Sequence, residues 1–193
     1  MKRFLLLFFA FGLSALVLHA QSNYTIVSGK NLIKGSSNLH DWQCIVENAT
    51  GNAVITTGKS LSIKSLTVTM AVNSIKSVKE DGSYFNEGMD KNTYKALSAD
   101  KYPEIVFTLG SISKVKTSGA ISTFQATGNL LVRGKTNQVS FPAKAVVAGN
   151  KITFTAVTKM KMTDFDVKPP TALMGTIKTG DEITIVLNTT FAK

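Results

Sequence analysis

Apolar and polar residues alternate with a period of two along most of the chain, and that pattern leaves little choice of architecture. Val68, Met70 and Val72 alternate with Thr67, Thr69 and Ala71. Phe124, Ala126, Gly128, Leu130 and Val132 fall on one face, as do Val139, Phe141, Ala143, Ala145 and Val147. The same holds for Ile152, Phe154, Ala156, Thr158, Met160 and Met162, and for Ile183, Ile185, Leu187, Thr189 and Phe191. Successive side chains on a strand point to opposite faces, so each run reads as a strand with one apolar face. Alternation this clean belongs to antiparallel sheet whose second face meets water.

Turn residues sit between the runs. Gly149-Asn150 reads as a two-residue hairpin, because both residues tolerate positive φ. Arg133-Gly134-Lys135-Thr136, Thr117-Ser118-Gly119 and Thr179-Gly180-Asp181 mark further turns, and Asp81-Gly82 interrupts the chain after an early run. A strand over Lys151–Thr163 would reach about 40 Å at roughly 3.3 Å per residue, where the mean strand has only about 5–6 residues. Long antiparallel strands predict an all-β fold, an elongated barrel of about eight strands, since closure removes exposed edges. Such a barrel is either filled by side chains or holds one small ligand. One segment departs from the pattern. Met89, Tyr94 and Leu97 recur at helical spacing, which predicts a short helix over Asp90–Lys101 across one barrel mouth, ended by Pro103.

Residues 1–20 read as a secretory signal: Lys2 and Arg3, an apolar stretch from Phe4 to Leu18, then Ala20 before Gln21. The stretch is shorter than the roughly 20 residues a membrane span needs, and no later segment qualifies. Its removal leaves 173 residues with a charge of +8. That length suits one barrel domain over residues 21–193. The expected location is outside the cytoplasm, periplasmic or secreted. The lysines lie singly along the sequence, without a basic stripe or interleaved stacking aromatics, which argues against nucleic-acid binding. The sequence is compatible with a monomer or a dimer.

Catalytic chemistry has little to work with. His40 is the one histidine outside the signal, and Cys44 is the one cysteine. Asp41 adjoins His40 and would point to the opposite face of a strand, so no relay forms between them. Cys44 lies about 13 Å along a strand from His40, beyond hydrogen-bond reach. The expectation is a protein that is not an enzyme and has no metal site and no cofactor. His40, Trp42, Cys44 and Val46 share a face that we assign inward, with Leu39, Asp41, Gln43 and Ile45 on the other. Two readings of the first face stay open: Trp42 packed beside a satisfied His40, or both touching the polar end of a ligand. Met89, Met160, Met162 and Met174 fit either ordinary core or a lining that adapts to a flexible chain. Asp164-Phe165-Asp166 before Pro169-Pro170 has too few oxygens for a calcium loop and reads as a rigid loop beyond a strand end.

Four stretches, in order, carry a resemblance. They are Gly35-Ser36-Ser37-Asn38-Leu39-His40-Asp41-Trp42 with Gly51, Tyr94-Lys95-Ala96-Leu97 to Lys101-Tyr102-Pro103-Glu104-Ile105-Val106-Phe107, Ala126 to Thr136, and Met162 to Pro170. Together they resemble the YceI-like family. The resemblance implies a lipocalin-like barrel holding a polyisoprenoid or other long-chain amphiphile, usually in the periplasm. The stretch before His40 departs from the commoner form of that motif. The expected lining is His40, Trp42, Val68, Met70, Met89, Leu97, Phe107, Leu130, Phe141, Phe154, Met160, Met162 and Phe165, with Leu187 also inward. Thr69, Thr108, Thr153 and Lys161 should face out. The preferred expectation is an exported binding protein for a long apolar or amphiphilic ligand, such as a polyisoprenoid, an isoprenoid quinone or a fatty-acid-like chain. The alternatives are a structural or redox-partner protein with a filled barrel, and a hydrolase using His40.

Overall fold

The computed structural model describes residues 21–193; the expected signal segment lies outside them. The chain runs β1 (Ser22–Gly29), β2 (Asn31–Ser37), β3 (Trp42–Val46), β4 (Ala49–Thr56), β5 (Ser62–Ala71), β6 (Ile75–Val78), α1 (Glu87–Leu97), β7 (Glu104–Ser118), β8 (Ile121–Val132), β9 (Lys135–Ala148), β10 (Lys151–Lys161), β11 (Thr171–Ala172) and β12 (Ile177–Ala192). All paired strands are antiparallel. The sheet passes through β1, β4, β5, β7, β8, β9, β10 and β12 and closes where β12 pairs with β1. That is the expected eight-stranded barrel.

The two ends are built differently. At one end Tyr24, Ile55, Leu61, Phe124, Phe141, Ile152 and Phe191 form a buried plug. The rings of Phe124, Phe154 and Phe191 meet edge to face, with centroids 6.4 and 5.6 Å apart, the geometry their quadrupoles favour. Toward the other end β2 continues the line of β1 past Lys30, and β12 pairs with both in one register, Gly29 with Thr189 and Leu32 with Val186. There β2 pairs with β3 and β3 with β6. β6 has no strand on its far side. The segment Tyr84–Leu97 covers that edge, as an exposed edge requires. Phe85 N–H donates to Ser77 O, and the Tyr94 hydroxyl donates to Ile75 O at 3.0 Å. The buried Asp90 carboxylate accepts from Ser77 N–H at 2.7 Å and from the Tyr84 hydroxyl at 3.0 Å.

Several sequence expectations need correction. The helix begins at Glu87, capped by the Asn86 side chain accepting from Met89 N–H. It stops at Ser98, whose left-handed backbone (φ 52°) ends it five residues before Pro103 could. Thr179-Gly180-Asp181 is not a turn. β12 runs through it and shifts register against β2 there; a Cβ on Gly180 would press on Ser36, so the glycine serves close strand approach. The strand expected to reach Thr163 ends at Lys161 and becomes a 3₁₀ turn, Met162–Phe165. The hairpin turn expected at Thr117-Ser118-Gly119 is made by Gly119-Ala120, between the partners Ser118 and Ile121. Thr153 faces outward but is half-buried, bonded to Thr190 across β10 and β12.

Folding gathers lysines that lie singly along the sequence. Cut at cross-strand partners, the closed half is made of residues 21–29, 53–66, 111–127, 140–158 and 185–193. It holds seven lysines and no Asp or Glu. All twelve acidic residues fall in the mouth half, against thirteen basic ones. Seven of the eight net side-chain charges of the described residues therefore sit in the closed half.

Candidate ligand-binding cavity

Above the plug the barrel is hollow. A cavity of about 680 Å³ runs from Phe124, Phe154 and Phe191 toward the loops at the open end, within the range of small-molecule sites. Every inward residue expected from the alternation lies on its wall: Val68, Met70, Phe107, Leu130, Phe141, Phe154, Met160 and Leu187. Room for the larger rings comes from facing glycines. Trp42 lies across its strand partner Gly35, and Phe107 across Gly128; a Cβ on either glycine would collide with the ring. The Trp42 indole N–H donates to Ser36 O at 2.9 Å, which fixes the ring while its apolar face meets the cavity.

The mouth is formed by three segments. The loop from Ser37 to Asp41 supplies Leu39 and His40; the edge-covering segment supplies Phe85, Met89 and Leu97; the loop after β10 supplies Met162, Phe165, Pro170 and Leu173. Leu39 was expected to face away and instead lines the cavity, because β3 begins only at Trp42 and the alternation does not extend back through the loop. Met162 lines it from the 3₁₀ turn. Met174 is fully exposed beside Leu173, and both residues hold positive φ (55° and 47°), conformations that cost free energy in non-glycine residues. The loop carrying them is pinned from below. Thr163 donates to the Asp181 carboxylate through its hydroxyl and its N–H, and these bonds hold that carboxyl below the usual range. Asn137 and Arg133 donate to Asp164 O and Asp166 O.

Polar groups on the cavity wall are few. His40 is exposed at the rim, its ring edge-on to Phe85, and its Nδ1 is 2.6 Å from Asp41 backbone O. No carboxylate orients it. Cys44 is buried, and its thiol is pushed up to about 12 by burial and then by the Asp90 charge, so it is not a thiolate at neutral pH. Among the described residues no cluster of three or more His, Cys, Asp or Glu side chains could hold a metal, and no helix is long and apolar enough to cross a membrane. Sequence reasoning missed Asn31, which is 2% exposed and lies on the cavity wall. Its Oδ1 accepts from the Thr189 hydroxyl and from Asn188 N–H, while its Nδ2 has no partner among the described residues. A lone asparagine among apolar residues in an early strand was the available signal.

Fold and cavity define a class: a closed antiparallel barrel, plugged at one end and hollow toward the other. Within that class the chain belongs to the YceI-like domain family, whose sequence profile matches residues 24–191. No curated protein sequence is significantly similar to it. Its fold is similar to that of Burkholderia cenocepacia BcnA (TM-score 0.66, 18% identity, covering 84% of this chain and 95% of the other). It is also similar to a polyisoprenoid-binding domain from Saccharophagus degradans implicated in plant cell wall breakdown (TM-score 0.65, 7% identity, 88% and 97%). A third similar structure is the YceI protein of Campylobacter jejuni (TM-score 0.54, 21% identity, 74% and 81%).

Proposed function

We propose that this protein is an exported carrier that holds one long-chain apolar or amphiphilic molecule, of polyisoprenoid, isoprenoid-quinone or fatty-acid-like type, inside the barrel. The observation that carries the reading is the continuous apolar cavity of about 680 Å³ opening at one end. Burying about 400 Å² of ligand supplies roughly 10 kcal/mol at about 25 cal/mol per Å². Association costs roughly 4–15 kcal/mol, so at the low end of that cost about 6 kcal/mol remains, a dissociation constant of roughly tens of micromolar. The thirteen lining residues from His40 to Phe165 are the proposed contacts. Asn31 adds an unpaired amide donor in an otherwise apolar wall, which favours a ligand carrying an acceptor, because an unmet buried donor is costly. His40, Asn92 and Lys161 at the mouth suit a polar head.

The family and the polyisoprenoid-binding neighbour support this reading, as does a site without an oriented base or an activated thiol. It is a binding reading and not a catalytic one, and it invokes no cofactor. The basic and apolar character of residues 1–20 supports export to the periplasm or beyond, with Gln21 as the first mature residue. Trp42 is the only tryptophan and lies on the cavity wall, so its emission reports occupancy directly. Titration of delipidated protein with a long-chain isoprenoid quinone should quench Trp42 saturably, while a tail-less quinone should not. Equal, unsaturable quenching by both would reject the reading.

A further inference from the structure

We propose that the closed pole of the barrel is an electrostatic docking surface for anionic phospholipid bilayers, which holds the protein with its mouth turned away from that surface. The inference does not depend on what occupies the cavity. It rests on the charge segregation that appears only after folding: seven lysines and no Asp or Glu in the closed half, and a mouth half whose side-chain charges nearly cancel.

The pole lysines are free to act. All four ion pairs among the described residues, Lys76–Asp90, Lys91–Glu87, Lys135–Asp166 and Lys159–Glu182, belong to the mouth half. Lys59, Lys64, Lys114, Lys116, Lys144 and Lys151 are exposed and unpaired. They come from the β4–β5 loop, β5, β7, β9 and the start of β10, and so surround the blunt end instead of lining a groove. At the tip, Ile121 is 44% exposed beside the Gly119-Ala120 turn.

The chemistry of the ring selects the partner. Every basic residue in it is lysine, a hydrated point charge on a flexible stem, and not arginine with its bidentate fork. The single arginine among the described residues, Arg133, is in the mouth half and committed to Ser98 and Asp166. A ring of independent lysines around a convex end suits a laterally averaged anionic plane, to which each basic group adds attraction within a Debye length. A nucleic acid would call for a stripe with exposed stacking rings, but Tyr24 is buried and Phe124 points into the plug.

The test compares two variants of equal net charge, each made in the exported protein and checked for an unchanged circular dichroism spectrum. One carries Lys59→Gln, Lys64→Gln, Lys116→Gln and Lys151→Gln at the pole. The other carries Lys79→Gln, Lys95→Gln, Lys168→Gln and Lys178→Gln at the mouth. Parent protein should co-sediment with phosphatidylglycerol-rich vesicles and not with phosphatidylcholine vesicles, and high salt should release it. The pole variant should bind at least roughly tenfold more weakly, and the mouth variant should bind as the parent does. Equal loss in both variants would show that total charge and not the pole drives binding, and would overturn the proposal. A parent that ignores both vesicles but is retained on an acidic polypeptide would assign the pole to a protein partner, and would overturn it as well.

Discussion

At the closed pole β7–β8 and β9–β10 reverse through two residues each, Gly119-Ala120 and Gly149-Asn150, and the aromatic plug fills the space between them. At the mouth the chain spends residues 79–103 and 162–176 on long connections, gathers the four ion pairs found among the described residues, and leaves Leu39, Phe85, Leu173 and Met174 exposed. The same antiparallel strands run into both ends. The barrel wall is therefore one problem, solved by alternation, while plug, cavity and rim are decided by what each end does with its strand termini. Stability should concentrate in the plug, and exchange with the surroundings should concentrate in the rim.

The harshest way to break this contrast is to charge the plug. Phe154→Asp removes the ring that links Phe124 to Phe191 and buries a carboxylate in apolar surroundings. It should cost about 3–5 kcal/mol, seen as a large fall in Tm with loss of ligand. Thr153→Asp, one residue away on the outer face, should cost about 1 kcal/mol, the value of its bond to Thr190. The reverse order of damage would place β10 one residue out of register and swap its faces.

A milder change separates the mouth from the wall. Asp90→Asn weakens the contacts by which Tyr84 and α1 cover the β6 edge, and should cost about 1–3 kcal/mol, measured by denaturant unfolding. The same residue makes stability pH-dependent. Burial opposes its ionisation, but the Ser77 N–H and hydroxyl, the Tyr84 hydroxyl and the Lys76 charge outweigh that and lower its pKa in the folded state. A carboxyl lowered on folding stabilises above its unfolded pKa of about 3.9, and that contribution disappears as pH falls through the folded value. The parent should thus lose stability below about pH 4 more steeply than Asp90→Asn. Parallel pH profiles would remove Asp90 from the account.

The smallest expected effect on stability is at the rim. Leu173→Ser with Met174→Ser alters exposed side chains and should shift stability by no more than about 0.5 kcal/mol. Ligand transfer from vesicles, followed by Trp42 emission, should nevertheless slow, because the apolar rim shields the chain as it crosses into the cavity. An unchanged transfer rate would strip the rim of any role beyond framing the opening.

What could be read in advance follows from the range of each interaction. Inward faces such as Val68-Met70 and Phe154-Ala156 were legible because parity is local and a slip flips every side chain. The turn at Gly149-Asn150 was legible for the same reason. The register shift beyond Thr179 and the free edge of β6 were not, because they arise from closing the sheet, and closure has no local signature. Thr179-Gly180-Asp181 misled because a glycine needed for close approach to Ser36 has the composition of a turn. The basic pole was invisible for a topological reason: lysines as distant as Lys59 and Lys193 meet only when alternate strand ends are collected at one end of the barrel.

The central claim, that the hollow above the plug holds a long apolar molecule, is tested most directly by native mass spectrometry of protein purified from its own exporting cell, followed by organic extraction. The account predicts one extra mass per chain, released into the organic phase and identified as a long-chain isoprenoid or related lipid, and absent from Phe154→Asp. A bare polypeptide mass, unchanged after incubation with such lipids, would contradict it.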